Sequence, residues 1–159
     1  MQFEHVVQVN DLTDTSITNL TRHQLWEGLV LRATSPEHFV IGLGEYEVQW
    51  QDDGRLQRSL ELPGLVVKDL VTFDEERSVH YDIVPTAKMA GGSLTMTIEE
   101  PEPQSLFVRF RYCARYLETV GDDLPYDLFV QQAYIAADID TIQVIRDRMT
   151  ANGQAPANR

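Results

Sequence analysis

The sequence predicts an α+β domain in which a curved antiparallel sheet closes over one long C-terminal helix. Three observations predict it. From Glu45 onward apolar residues recur with period two, in short segments separated by turn residues. The connections between those segments are too short for crossovers, so successive strands run antiparallel. After about residue 123 the pattern becomes helical and stays so to about 150. A sheet and a helix that each carry one apolar face bury those faces against each other.

Residues 2–9 alternate, with Phe3, His5, Val7 and Val9 on one side, and predict a half-buried strand. A polar loop follows to Leu20. Thr21 with Gln24 makes a capping box, and Leu25, Trp26, Leu29 and Val30 continue at helical spacing. Ser35-Pro36-Glu37 predicts a second short helix to about Val40, with Pro at its first position. Strands are then expected at 45–51, 55–62, 65–73, 78–84, 93–99 and 105–117. Asp-Asp-Gly, Pro-Gly, Asp-Glu-Glu-Arg, a longer loop ending Gly91-Gly92, and Glu-Pro-Glu-Pro connect them. The terminal helix opens after Asp122-Asp123 and shows an apolar stripe of Leu124, Leu128, Ile135, Ile139, Ile142 and Met149. At the usual rise it is about 40 Å long. Residues 1–151 read as one domain and 152–159 as a frayed polar tail.

Composition excludes several function classes. The formal charge is −12 and the isoelectric point near 4.6, so nucleic-acid phosphates and anionic membrane surfaces are repelled. Cys113 is alone, so the chain forms no internal disulfide; a cytoplasmic location is expected. The N-terminal segment lacks the pattern of a signal peptide, and no apolar run approaches a membrane span. His5, His23, His38 and His80 have no ligand spacing, so neither a metal nor another cofactor is expected. Gly91-Gly92-Ser93 is a hairpin connection, neither a nucleophile elbow nor a phosphate loop.

Turn chemistry assigns strand registers. A three-residue Asp52-Asp53-Gly54 loop, with Gly54 left-handed, pairs Trp50 with Leu56, Val48 with Arg58 and Tyr46 with Leu60. A two-residue Pro63-Gly64 turn pairs Leu60 with Val67, Arg58 with Asp69 and Leu56 with Val71. Arg58 and Asp69 therefore stand directly opposite, about 5 Å apart at Cβ, on a face otherwise made of leucine, valine and aromatic residues. After the Asp74–Arg77 turn, Val79, Tyr81 and Ile83 are set inward. In the last hairpin Leu94, Met96 and Ile98 face Phe110, Val108 and Leu106, which turns Tyr112 and Tyr116 inward and Arg109, Arg111, Cys113 and Arg115 outward. Glu4 and Glu99 are placed to offset the outward arginines.

FEHVVQVND at 3–11 and LTRHQLWEGLVLRATSPEHFVIGL at 20–43, with the element order, resemble the helix-grip proteins of the START and birch-pollen-allergen superfamily, SRPBCC. The N-terminal third is similar to its AtaL-like branch. The resemblance implies the order β-α-α-β-β-β-β-β-β-α, with seven strands wrapped around the last helix and a cavity between them. It also implies binding of lipids, sterols, polyketides or plant hormones, or cyclisation and dehydration of polyketides.

The inward residues that would touch a ligand are Tyr46, Trp50, Arg58, Asp69, Tyr81 and Met96, together with Phe110, Tyr112 and Tyr116; Leu128 and Ile135 would close the cavity from the helix. Apolar and aromatic walls with a few fixed polar groups suit a small hydrophobic or aromatic molecule. Arg58, held by Asp69, could donate to a ligand carboxylate, enolate or carbonyl, and could stabilise an enolate in a cyclase. His5 is the candidate base. The plainer alternatives stay open: a structural ion pair, a satisfied core histidine, and a filled core serving an interaction module. The expected partner is a small ligand, without nucleic acid or membrane insertion, and the chain monomeric or homodimeric.

Overall fold

The first hairpins follow from their turns. In the computed structural model, which describes residues 2–88, 90–114 and 124–157, Gly54 and Gly64 adopt φ values of +87° and +72°. Only glycine takes these values without cost, and both turns have the expected lengths. The strands are β1 (Gln2–Gln8), β2 (Tyr46–Trp50), β3 (Leu56–Leu62), β4 (Leu65–Asp74), β5 (Ser78–Ile83), β6 (Gly92–Glu102) and β7 (Ser105–Ala114). They form an antiparallel sheet of seven in the order β1-β7-β6-β5-β4-β3-β2. The expected pairs recur: Trp50 with Leu56, Val48 with Arg58, Leu60 with Val67, and Arg58 with Asp69. Val71 faces Tyr81, which puts Val79 and Tyr81 inside.

Helix α1 (Arg22–Thr34) starts at the capping box: Gln24 N–H donates to the Thr21 hydroxyl, and Thr21 N–H to the Gln24 side chain. Buried Asn10 fixes the loop before it. Its side chain donates to the carbonyls of Leu20 and Gln104 and accepts from Leu20 N–H. Helix α2 (Leu124–Ala157) lies on α1 and reaches β1. Outside the sheet, Arg109 is held by Glu4 at 2.7 Å and Glu99 at 2.6 Å, and Arg111 by Glu4. Arg115 lies outside the described residues.

Four expectations are corrected. The second helix is one 3₁₀ turn, Pro36–His38, because three residues cannot close an α-helical ladder. Helix α2 runs to Ala157, past Asn152 and Gly153, residues that each cost a helix only about 1 kcal/mol or less and do not by themselves end it. In the last hairpin Leu94 faces Tyr112 and Met96 faces Phe110, two residues away from the expected register. Pro101 cannot donate to the ladder; an irregularity between Glu99 and Glu102 accommodates it and moves the turn to Pro103-Gln104.

The inward stripe of α2 is the fourth correction. Leu128 and Ile139 are 60% and 54% exposed, while Asp138, Thr141, Ile142 and Ile145 are buried. Tyr134 and Met149 pack on the same side. Ile142 and Met149 of the expected stripe do lie on this side, whereas hydrophobicity misplaces Leu128 and Ile139, because a paired carboxylate, Asp138, occupies the middle of the buried stripe.

Gly28 makes the α1–α2 contact possible. A Cβ there would overlap Ile145 Cγ2, whose residue is fully buried. Gly28→Ala is expected to lower stability by about 1–3 kcal/mol through overpacking. Urea denaturation reads this, and the same substitution is expected to cost less in an Ile145→Ala background.

Candidate ligand cavity

Strand parity and sheet curvature leave a space between the concave face and α2. Its volume is about 570 Å³. Leu60, Val67 and Leu94 line it from the sheet, and Val130 and Tyr134 from α2. Arg32, Arg58, Asp69, Tyr81 and Tyr112 supply its polar groups.

Arg58 and Asp69, on neighbouring strands β3 and β4, are 6% and 4% exposed. The pairing is two-pronged: Arg58 Nε donates to Asp69 Oδ1 at 2.8 Å and Nη2 to Oδ2 at 2.6 Å. Nη1 donates to the Ala33 carbonyl at 3.2 Å, at the end of α1. Each nitrogen of this guanidinium thus makes one bond within the protein, which commits three of its five N–H groups. The pair sets the cross-strand register and holds the last turn of α1 against the sheet.

Tyr81 of β5 is 3% exposed, and its ring centroid lies 4.9 Å from Arg58 Cζ and 5.0 Å from Arg32 Cζ. Both are cation–π distances. The Tyr81 hydroxyl and Arg32 Nε are buried and have no hydrogen-bond partner among the described residues.

A second polar cluster lies under α2. His5 Nε2 is 2.7 Å from Asp138 Oδ2, and the Tyr112 hydroxyl donates to the same carboxyl at 2.7 and 2.8 Å. Tyr112 stacks on Tyr134 with centroids 4.0 Å apart and planes 2° apart. Burial pushes the Asp138 carboxyl above its ordinary range, against the lowering effect of the hydrogen bonds from His5 and Tyr112 and of the Arg32 charge. Burial and the neighbouring Asp138 charge raise the Tyr112 phenol far above its usual value. Tyr112 reaches the cavity; His5 communicates with it through Asp138.

The residues read from sequence separate into groups. Arg58, Asp69, Tyr81 and Tyr112 come together at the cavity. Met96 and Phe110 are fully buried in the core, and the Phe110 ring stacks on His5. Tyr46 turns its hydroxyl to Glu37 at the sheet edge, 2.7 Å away. Trp50, expected inside, is 54% exposed at the end of the edge strand and rests on Phe73. Leu128, expected to close the cavity, faces out, and Ile135 is half-buried without lining it. Tyr116 lies outside the described residues. Arg32, Asp138 and Tyr134 were missed. Arg32 follows Leu25 and Leu29 at helical spacing, so its face was readable by periodicity; Asp138 stands four residues from both Tyr134 and Ile142, but a carboxylate there carries no hydropathy signal. No group of three or more His, Cys, Asp or Glu suited to a metal occurs among the described residues.

The sheet wrapped around a terminal helix, with a cavity between them, is the helix-grip fold. Solved structures share it. StfQ, the di-domain ARO/CYC of the steffimycin biosynthetic pathway, superposes with a TM-score of 0.70 at 10% identity, over 96% of this chain and 52% of that one. The chain thus spans about half of that di-domain protein. Zhui aromatase/cyclase from Streptomyces sp. R1128 gives 0.60 at 14% identity, over 93% and 94% of the two chains. Ara h 8.0201 gives 0.59 at 10%, over 95% and 98%. The chain belongs to the AtaL family, acetylaranotin biosynthesis cluster protein L, whose family model matches residues 7–153. No curated protein matches the sequence.

Two outcomes follow. Asp69→Asn leaves a buried guanidinium without its counter-charge and is expected to cost about 3–5 kcal/mol, whereas Arg58→Met with Asp69→Leu costs much less. Urea denaturation of both variants checks this. Asp138 has a raised value in the folded state, so its protonated form favours folding below the ordinary value of 3.8, and that contribution is lost as pH rises through the raised value. Wild type is therefore expected to lose stability relative to Asp138→Asn as pH rises above 3.8, in unfolding curves taken from acid to neutral pH.

Proposed function

We propose that the protein binds one small hydrophobic or aromatic molecule between the sheet and α2. The observation that supports this most is the cavity itself. Its 570 Å³ falls among ligand pockets, commonly about 300–1,000 Å³, and its walls are aliphatic and aromatic with few polar groups. In this reading the protein works in the cytoplasm, as a monomer or homodimer. Among the described residues no helix is long and apolar enough to cross a membrane.

One observation favours a second, enzymatic reading. The Tyr112 hydroxyl stands at the cavity wall and continues through Asp138 to His5, a hydrogen-bonded chain able to hand a proton to or from a bound molecule. Aromatase/cyclases such as StfQ and Zhui use the same fold. The acid–base group in this reading is Tyr112, with Asp138 and His5 behind it. Arg58 and Asp69 keep the architectural role that their bonding gives them.

Native mass spectrometry before and after denaturation tests the binding reading. Wild type is expected to carry a removable small molecule or to take up a hydrophobic fluorescent probe. Leu94→Trp, which fills the space from the sheet, is expected to keep the fold and weaken probe binding at least about tenfold, the scale of losing one buried apolar contact. Wild type that is free of ligand and takes up no probe contradicts the proposal.

A further inference from the structure

Resting on that binding reading, we infer that the ligand carries one anionic oxygen group, a carboxylate or the phenolate or enolate of a conjugated ring, received by Arg32 and Tyr81. The cavity holds two guanidinium groups with opposite circumstances. Arg58 spends Nε and Nη2 on Asp69 and Nη1 on the Ala33 carbonyl, so its charge is paired and three of its five N–H groups are committed. Arg32 lines the same cavity from the end of α1, and its buried Nε has no acceptor among the described residues. Arginine stays protonated in a protein, so this positive charge cannot be shed by titration.

Tyr81 supplies the second donor. Its hydroxyl is buried without a hydrogen-bond partner among the described residues, its ring lies 5.0 Å from Arg32 Cζ, and both residues line the cavity. Buried donors without partners are rare, because each costs its full desolvation. Two such donors, on neighbouring residues that line one cavity, are matched by an acceptor that enters from outside. Among the described residues the nearby carboxylates are hydrogen-bonded elsewhere: Asp69 to Arg58, and Asp138, which acts on Arg32 only through its charge, to Tyr112 and His5. A neutral carbonyl would satisfy the hydrogen bonds and leave the charge uncompensated. An anionic oxygen satisfies both, and in a water-poor cavity such charge-assisted bonds are strong. The aliphatic walls formed by Leu60, Val67, Leu94 and Val130 receive the apolar remainder.

A matched pair of probes tests the inference: 2-naphthoate and its neutral isostere 2-naphthamide, titrated by calorimetry into wild type, Arg32→Gln and Tyr81→Phe, each checked for fold by circular dichroism. Wild type is expected to prefer the carboxylate by about tenfold or more, as for a hydrogen bond to a charged group. Arg32→Gln is expected to abolish the preference while leaving amide binding within about twofold, and Tyr81→Phe to reduce it in part. Equal binding of the two probes by wild type, or a carboxylate preference that survives in Arg32→Gln, overturns the inference and leaves the pocket standing. Binding of neither probe by wild type contradicts the pocket itself. Should Arg32→Gln fail to fold, the loss of preference in Tyr81→Phe decides.

Discussion

The ion pair between Arg58 and Asp69 is the contact on which the rest of the cavity depends. It joins β3 to β4 in one register, and through Ala33 it fastens the end of α1 to the sheet. Position 32 precedes that anchor directly, so the same contact aims Arg32 into the cavity. Tyr81 lies against both guanidinium groups. Burying two charges is expensive, and a buried pair often gives no net stability over an apolar substitute. What the pair contributes here is position: it neutralises one arginine and seats the end of α1, with Arg32, beside the cavity.

The cluster of His5, Asp138 and Tyr112 does the corresponding work at the other side of the space. It ties β1 and β7 to α2 where the helix passes from solid core to cavity. Toward the C-terminal end Thr141, Ile142 and Ile145 pack tightly, and Gly28 lets α1 come close. On the N-terminal side of Asp138, Tyr134 and Val130 face the space instead. The cavity is thus framed by two polar fastenings and walled with aliphatic residues.

Much of this was legible in the sequence, and the reason is local. Hairpin turns fix registers with few residues, so Asp-Asp-Gly and Pro-Gly sufficed to place Arg58 opposite Asp69 and both on the covered face. The capping box gave the start of α1. Where local rules fail, tertiary pairing decides. Asp138 is buried because His5 and Tyr112 arrive from distant strands, and no hydropathy stripe shows that. Trp50 has the inward parity of its strand but lies at the sheet's edge strand, where α2 gives no cover. Parity assigns a face and cannot say how far the covering element reaches. The donors of Arg58 looked available because the Ala33 carbonyl, the third acceptor, is backbone and has no signature in the sequence.

In the proposed reading a bound molecule occupies the cavity, and bonding separates the two arginines, Arg58 paired with Asp69 and Arg32 without a hydrogen-bonded carboxylate among the described residues. A crystal structure of the protein with 2-naphthoate tests this division most directly. The expected density shows the carboxylate within hydrogen-bond distance of Arg32 and the Tyr81 hydroxyl, the ring among Leu60, Val67 and Leu94, and Arg58 still on Asp69. A carboxylate held by Arg58 with Asp69 displaced, or a cavity collapsed around α2 with the probe outside it, would contradict it.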